Sequence, residues 1–142
     1  MRKQILLTTL LIILTVQASS FNASIESIKQ EAETESPAEF QINIENKKET
    51  RETYSLSLLS PKTSWFSYPN RITTKPNTVQ TKKLTIEPDK EAVQSRYRFD
   101  LRIRELSTDT VKQVTGYFNV KQPYIINIVS LSQNKEKINP GE

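Results

Sequence analysis

Four arginines alternate with apolar residues in one short run of this 142-residue chain, and their spacing suggests a binding face. If residues 96–104 form a β-strand, one face carries Tyr97, Phe99, Leu101 and Ile103. The other face then carries Arg96, Arg98, Asp100, Arg102 and Arg104. Guanidinium groups match the geometry of carboxylates and phosphates. These arginines are therefore a candidate contact for a polyanion, an acidic glycan or lipid head groups. The alternative is a solvated sheet face whose arginines pair with glutamates on neighbouring strands.

An aromatic cluster is the second candidate contact, and it consists of Trp65, Phe66 and Tyr68. Exposed aromatic faces can stack on sugar rings, which would make this cluster a carbohydrate platform. The alternative is that Trp65 fills a protein core while its two neighbours cover the end of that core. The exposed fraction of the Trp65 indole distinguishes the two interpretations, because a carbohydrate platform needs an exposed ring and a core residue is buried.

Residue types exclude several kinds of catalytic chemistry. The chain has no histidine and no cysteine, so the commonest general base and the usual zinc and thiol ligands are missing. The aspartates Asp89, Asp100 and Asp109 are too scattered for a calcium loop. The acidic cluster Glu31, Glu33 and Glu35 is better suited to solvating a loop. No glycine-rich nucleophile elbow is present, and we predict a non-catalytic protein with no catalytic residues, cofactor or metal.

Residues 1–20 have the pattern of a secretory signal peptide, which would form an N-terminal helix. Arg2 and Lys3 precede an apolar run from Ile5 to Val16, and small residues follow near Ala18 and Ser20. The run is short for a bilayer span, which takes about twenty residues, although an uncleaved anchor is the alternative. We therefore expect a secreted or cell-surface protein. Asn22-Ala-Ser24 is then a candidate N-glycosylation site at Asn22.

Charge does not favour a nucleic-acid partner. Arg2 and Lys3 account for half of the formal net charge of +4, and the remaining Lys and Arg residues are interleaved with Glu. We expect membrane contact only through the signal segment or through a C-terminal anchor that this sequence lacks.

Alternation with a period of two recurs along residues 21–122 and predicts an all-β unit. The predicted strands include 23–30, 40–44, 54–58, a short one at Ile72, 79–86, 96–104 and 111–120. The charged segment 46–52 is predicted to be an exposed loop, and 75–78 a turn. About seven short strands in about a hundred residues are typical of an immunoglobulin-like antiparallel β-sandwich. With no cysteine, that sandwich must be held by its apolar core.

The end of the chain repeats an earlier stretch, since residues 25–39 and 128–142 share Ile, Ser, Gln, Glu, Pro and Glu in register. We interpret 21–122 as one complete unit and 123–142 as the first strand and turn of a second, truncated repeat. Neighbouring repeats of the same chain are then expected partners.

The order of signals resembles the prokaryotic cell-surface immunoglobulin-like modules of the NPCBM-associated and CARDB-type families. The resemblance covers residues 23–122 and rests on five features in order. These are a proline turn at 37–39, an alternating strand that ends near Asn46, a tryptophan at Trp65, a Leu-x-Ile-x-Pro strand end at 84–88 and a strand that begins with Tyr97. The sequence departs from the pattern in having Ala38 and Asn77 where glycine is usual.

This resemblance implies a non-catalytic module that acts as a structural spacer or interaction domain in a tandem array. The alternatives are a carbohydrate-binding or cell-wall-binding module and an accessory domain of a surface hydrolase. Extracellular glycans or another surface protein would be the partners outside the chain.

Overall fold

The computed structural model describes residues 19–122, and within them the chain forms two packed β-sheets. The strands are β1 (Phe21–Lys29), β2 (Glu31–Ala32), β3 (Ala38–Asn46), β4 (Glu52–Leu59), β5 (Phe66–Ser67), β6 (Arg71–Thr74), β7 (Val79–Ile86), β8 (Ser95–Glu105) and β9 (Val111–Val120). A single 3-10 turn, Thr63–Trp65, precedes β5. The predicted signal segment up to residue 18 and the predicted second repeat, 123–142, lie outside the described residues.

The sheets have the orders β1-β3-β7-β5 and β2-β9-β8-β4-β6. All pairs of neighbouring strands are antiparallel except β2 and β9, which run parallel over two residue pairs. The prediction of an immunoglobulin-like β-sandwich is confirmed. The structure has more strands than the seven or so predicted because β2 and β5, with two residues each, are too short to show alternation.

Alternation decides which residues enter the core between the sheets. Along β3, Ala38, Phe40, Ile42 and Ile44 are buried and the residues between them are partly exposed. Phe99, Leu101 and Ile103 of β8 face them from the other sheet, each fully buried. Seven partly buried apolar side chains, among them Ile25, Leu58 and Val114, pack around this cluster. Apolar packing therefore holds the sandwich together without sulphur crosslinks.

Two turns adopt the left-handed backbone conformation without glycine. Asn77 has φ 52° in the predicted turn after β6, and Asp109 has φ 61° in the turn between β8 and β9. Asn and Asp tolerate this region better than other non-glycine residues, which explains how tight turns form in a chain with only two glycines.

The prediction that 46–52 is an exposed loop is wrong at both ends of the segment. Asn46 ends β3 with no exposed surface, and Glu52 begins β4 at 7% exposure. Asn46 is buried because its side-chain amide donates to the carbonyl oxygens of Thr50 and Lys75 and accepts from the backbone N–H of Lys48. It fastens the turn between β3 and β4 to the neighbouring turn after β6.

The described chain enters and leaves the sandwich at opposite ends. Phe21, the first residue of β1, pairs with Asn46 and contacts the Tyr54 ring at 4.9 Å. Tyr54 pairs with Glu105 at the same end, where β9 also begins. β9 then runs the length of the sheet to Val120, which pairs with Ser95. No helix within residues 19–122 has the length and apolar character needed to cross a membrane.

Candidate functional site

The predicted arginine stripe lies on the outer face of the five-stranded sheet. Arg96, Arg98, Arg102 and Arg104 are exposed, and they alternate along β8 with residues that face the core. Arg98 pairs with Asp100 at 3.1 Å, and Arg104 forms an ion pair with Asp109. The guanidinium of Arg96 lies over the Tyr117 ring, 4.5 Å from its centre.

The glutamates expected opposite these arginines are not there. Across the sheet, Arg102 pairs with Ser57 on β4 and Gln113 on β9, and Arg104 pairs with Ser55 on β4. The glutamate pairing that the alternative interpretation expects is therefore wrong, whereas its solvated sheet face agrees with the exposure of the four arginines. The register between neighbouring strands cannot be derived from the alternation within one strand.

The fold adds an arginine that sequence analysis did not select. Ser55 also pairs with Arg71 on β6, so Arg71 and Arg104 flank Ser55 from its two sides. Arg71 is exposed while Ile72, next to it, is buried, which places the arginine on the outer face. The alternation of Arg71 and Thr73 with Ile72 and Thr74 indicates this outward placement. Because the strand is only four residues long, this alternation is a weak signal.

The aromatic cluster has one buried member and two partly buried ones. Trp65 is 3% exposed and packs edge-on against Tyr97 and Phe118 at ring distances of 5.4 and 6.4 Å. Phe66 and Tyr68 are partly buried against the core. The indole face is therefore covered by other rings, as in the core-filling interpretation. Ligand contact by Phe66 or Tyr68 stays a prediction.

We predict that intrinsic fluorescence reports this burial directly, because Trp65 is the single tryptophan of the chain. Native protein should emit at shorter wavelength than urea-unfolded protein and should resist quenching by iodide, since packed rings exclude water from the indole. Emission at the unfolded wavelength in native buffer would contradict the packing. Free tryptophan in the same buffer is the control for an indole that iodide can reach without obstruction.

Asn22 lies exposed near the start of β1, and its side-chain amide donates to a Glu45 carboxylate oxygen at 2.9 Å. The side chain is accessible on the outer face of the four-stranded sheet. Glycosylation there stays a prediction, which the intact mass tests.

A buried polar cluster closes the end of the sandwich at which the chain enters. Lys48 lies 3.2 Å from Glu52 and 3.1 Å from Glu105, whose side chain is fully buried. The other Glu105 oxygen accepts from the hydroxyls of Ser20 and Thr108. The charged residues of this cluster gave no sequence signal of burial apart from alternation along β8, which places Glu105 on the inner face after Ile103.

Two hydroxyls at this end, those of Tyr54 and Thr74, are buried close to each other. Burial raises the pKa of the Tyr54 phenol, the Thr74 hydroxyl lowers it in part, and the charges of Glu105 and Glu52 raise it further. Buried hydroxyls that lack well-formed hydrogen bonds cost stability.

Three charged groups have shifted pKa values. Burial opposes ionisation of Glu52, but hydrogen bonds from Ser107 and Lys48 outweigh it and lower its pKa. The Thr115 hydroxyl, with Arg98, lowers the pKa of Asp100. Burial opposes the charged form of Lys48, yet hydrogen bonds with Glu105 and Glu52 raise its pKa.

The directions of these pKa shifts predict that the free energy of unfolding is highest at intermediate pH and falls towards both acid and alkaline pH. Lowered carboxyl pKa values contribute stability that is lost as pH falls below the ordinary Glu value of 4.5, and the raised Lys48 pKa contributes stability that is lost above 10.5. Urea unfolding across this range measures the curve. Glu52→Gln should make the acid limb shallower, and a stability that rises on acidification from pH 5 to pH 3 would contradict the shifts.

Among residues 19–122, no group of three or more acidic side chains is placed to hold a metal ion. The predicted acidic cluster remains dispersed: Glu31 forms an ion pair with Lys121 at 2.6 Å, and the backbone of Glu33 pairs with that of Ser36. The arrangement that remains as a candidate site is the basic outer face.

Comparison with known proteins identifies the fold. No family model matches the chain, and no curated protein matches its sequence. Among solved structures, a FixG-related protein from Vibrio parahaemolyticus is similar with a TM-score of 0.57 and 14% identity, over 73% of this chain and 99% of that one. A family 123 glycoside hydrolase from Clostridium perfringens is similar with a TM-score of 0.58 and 9% identity, over 74% of this chain and 28% of the hydrolase.

The fold is that of an immunoglobulin-like β-sandwich module. At such low identities the likeness concerns the fold alone. A CARDB domain from Pyrococcus furiosus also matches, with a TM-score of 0.49 and 14% identity over 72% of this chain and 94% of that domain, but this score is too low to assign a family. The NPCBM-associated or CARDB-type membership and the tandem array therefore stay predictions.

Proposed function

We propose that the chain is a non-catalytic, exported module that acts as a structural spacer between the segments that precede and follow its sandwich. The observation that carries the proposal is the position of its two ends. β1 begins where Tyr54 and Glu105 lie, and β9 finishes at the opposite edge, beside Ser95. With ten residues in β9, the two ends are about 30 Å apart at about 3.4 Å per residue.

Both ends are also fastened to the sandwich. At the entry, the backbone N–H of Lys47 donates to the carbonyl of Ser20 at 3.1 Å. At the exit, the backbone N–H of Lys121 donates to the carbonyl of Ala32 at 3.0 Å, and the side-chain amide of Gln122 donates to the carbonyl of Ala92 at 2.7 Å. A spacer needs such attachment, because free terminal segments would fold back and shorten the span.

Repeats of such a unit would extend along one line, each adding the length of one sandwich. Neighbouring repeats of the same chain are the partners that this arrangement suits. An accessory domain of a surface hydrolase is a special case of the same role, in which the segment that follows is an enzyme.

Small-angle X-ray scattering of two copies joined end to end tests the proposal, with the leader removed from the second copy. We expect a rod whose maximum dimension is about twice that of one copy. Side-by-side packing, with a maximum dimension close to that of one copy, would overturn it. A matched fusion with a flexible Gly/Ser linker of ten residues between the copies is the flexible control, because its two copies should sample many relative orientations.

Export is tested by the mass of protein recovered outside the cytoplasm. We expect the mature chain to begin at Ser19, because the Ser20 hydroxyl donates to Glu105 and its carbonyl fastens Lys47. Removal of residues 1–20 would delete both bonds at the entry. A mass that retains the whole leader would support the anchored alternative.

A further inference from the structure

We propose that the outer face of the five-stranded sheet binds a carboxylate-bearing polysaccharide through Arg71, Arg102 and Arg104, here called the arginine triad. This inference goes beyond the spacing role and does not depend on it. Its basis is the meeting of three strands, β6, β4 and β8, which brings together arginines separated by about thirty positions in the sequence.

The triad surrounds short side chains. Ser55 lies between Arg71 and Arg104 in the sheet registry, and Ser57 lies opposite Arg102. Arg71 and Arg104 are two strands apart, which separates their backbones by about 10 Å, and Arg102 and Arg104 are about 7 Å apart along β8. Long basic side chains therefore surround two short serines on this face.

The guanidinium groups of Arg71 and Arg102 have no hydrogen-bond, ion-pair or aromatic partner among residues 19–122. The Arg104 guanidinium donates through Nε and one Nη to a single oxygen of Asp109, and its side chain is still 52% exposed. Asp109 therefore orients Arg104 without covering it. Two unpaired cations and one oriented cation make a surface that attracts anions.

Acidic side chains do little to neutralise this face. Asp100 is the single acidic residue among the outward positions of β4, β6, β8 and β9, and it is occupied by Arg98 and by a hydrogen bond from Thr115. Arg98 lies beyond the end of β4, whose last residue pairs with Asp100, and Arg96 covers the ring of Tyr117, so neither belongs to the triad. At one end of the predicted stripe Arg96 and Arg98 already have partners, and at the other end Arg102 has none among residues 19–122.

The neighbours of the triad favour a polysaccharide over a nucleic acid or a membrane. Ser55, Ser57 and Gln113 lie directly beside the arginines and offer hydroxyl and amide groups that suit sugar hydroxyls. Single-stranded nucleic acids need exposed aromatic rings for stacking, and the face has only Tyr117, which Arg96 covers. Membrane binding needs several apolar side chains that enter the lipid, and of the residues paired with the triad in the described sheet only Val111, opposite Arg104, is apolar and exposed.

Binding of the full chain to immobilised polygalacturonate, a polymer of carboxylated sugars, tests the proposal at physiological ionic strength. We expect retention that decreases with added salt and no retention on neutral dextran. The double variant Arg71→Ser with Arg102→Ser should bind about tenfold more weakly. The matched control, Lys47→Ser with Lys82→Ser, removes the same charge from exposed positions outside this face and should bind as the unchanged protein does.

Further variants distinguish bidentate recognition from charge alone. Arg71→Lys with Arg102→Lys keeps the charge but loses the planar fork, and we expect intermediate affinity. Fluorescence of Trp65 verifies that each variant is folded. The proposal is overturned by failure of the unchanged protein to bind, by equal losses in the serine and control variants, or by full binding of the lysine variant. Stronger retention by single-stranded DNA or by phosphatidylserine vesicles than by the polymer would also overturn it.

Discussion

Glu105→Ala should destabilise the protein by about 3 kcal/mol, since removal of one partner of a buried ion pair costs about 3 to 5 kcal/mol. Its carboxylate is fully buried and lies 3.1 Å from the Lys48 ammonium. Truncation also removes the acceptor of the Ser20 and Thr108 hydroxyls. We expect the lower end of the range because Lys48 is 26% exposed and retains Glu52 at 3.2 Å. Urea unfolding followed by Trp65 fluorescence measures the loss.

Two further variants identify the cause of that loss. Glu91→Ala removes an exposed glutamate and should change stability by less than about 0.5 kcal/mol. Replacing the whole charged cluster, as Glu105→Leu with Lys48→Met and Glu52→Gln, should recover part of the stability, because no buried charge is then left unpaired. If Glu105→Ala unfolds at the same urea concentration as the unchanged protein, the pair does not contribute to stability.

Gly116→Ala should cost about 3 kcal/mol, the upper end of what overpacking a well-filled core usually costs. Gly116 pairs directly with Phe99, and a Cβ atom at position 116 would lie 2.3 Å from the tip of that ring. Phe99 is fully buried and has the Phe40 and Phe66 rings 5.3 Å away. The ring therefore has no open space into which it could move. Thermal or urea unfolding measures the effect.

The clash has a specific partner, so a second substitution should relieve it. Phe99→Leu combined with Gly116→Ala should lose less than the sum of the two single losses, by about 1 kcal/mol or more. Gln113→Ala, on the outer face of the same strand, is the control and should stay within about 0.5 kcal/mol of the unchanged protein. Strict additivity would show that the ring and the new methyl group do not meet.

Strand positions were predictable where alternation was long and its ends were marked. β7 and β9 have the predicted bounds, and β8 is one residue longer at each end. Along β8 apolar side chains recur with a period of two against a buried face, which is the strongest strand signal in a sequence. β7 shows this period only at Leu84 and Ile86, where Pro88 marks the end of the strand. β2 and β5 could not be predicted in this way because two residues define no period.

The polar end and the basic face were harder to predict for two different reasons. Charged residues indicate exposure, but Glu52 is buried because its carboxylate pairs with Lys48, four residues earlier, and accepts a hydrogen bond from Ser107 in the distant turn after β8. Arg71 joins Arg104 only through the register of β4 with both of its neighbours. Alternation gives the face of a residue, but the pairing of strands decides which side chains share that face.

The placement of the two chain ends also determines how the module would respond to tension. A pull on residues before β1 and after β9 acts along both strands in opposite directions, because each runs from the entry end to the exit end. Antiparallel ladder hydrogen bonds are perpendicular to the strands, so this force shears many of them at once instead of opening them one by one. The parallel contacts of Glu31 with Asn119 and of Ala32 with Val120 would be loaded in the same manner. Resistance to tension would thus follow from the placement of the first and last long strands in the two layers.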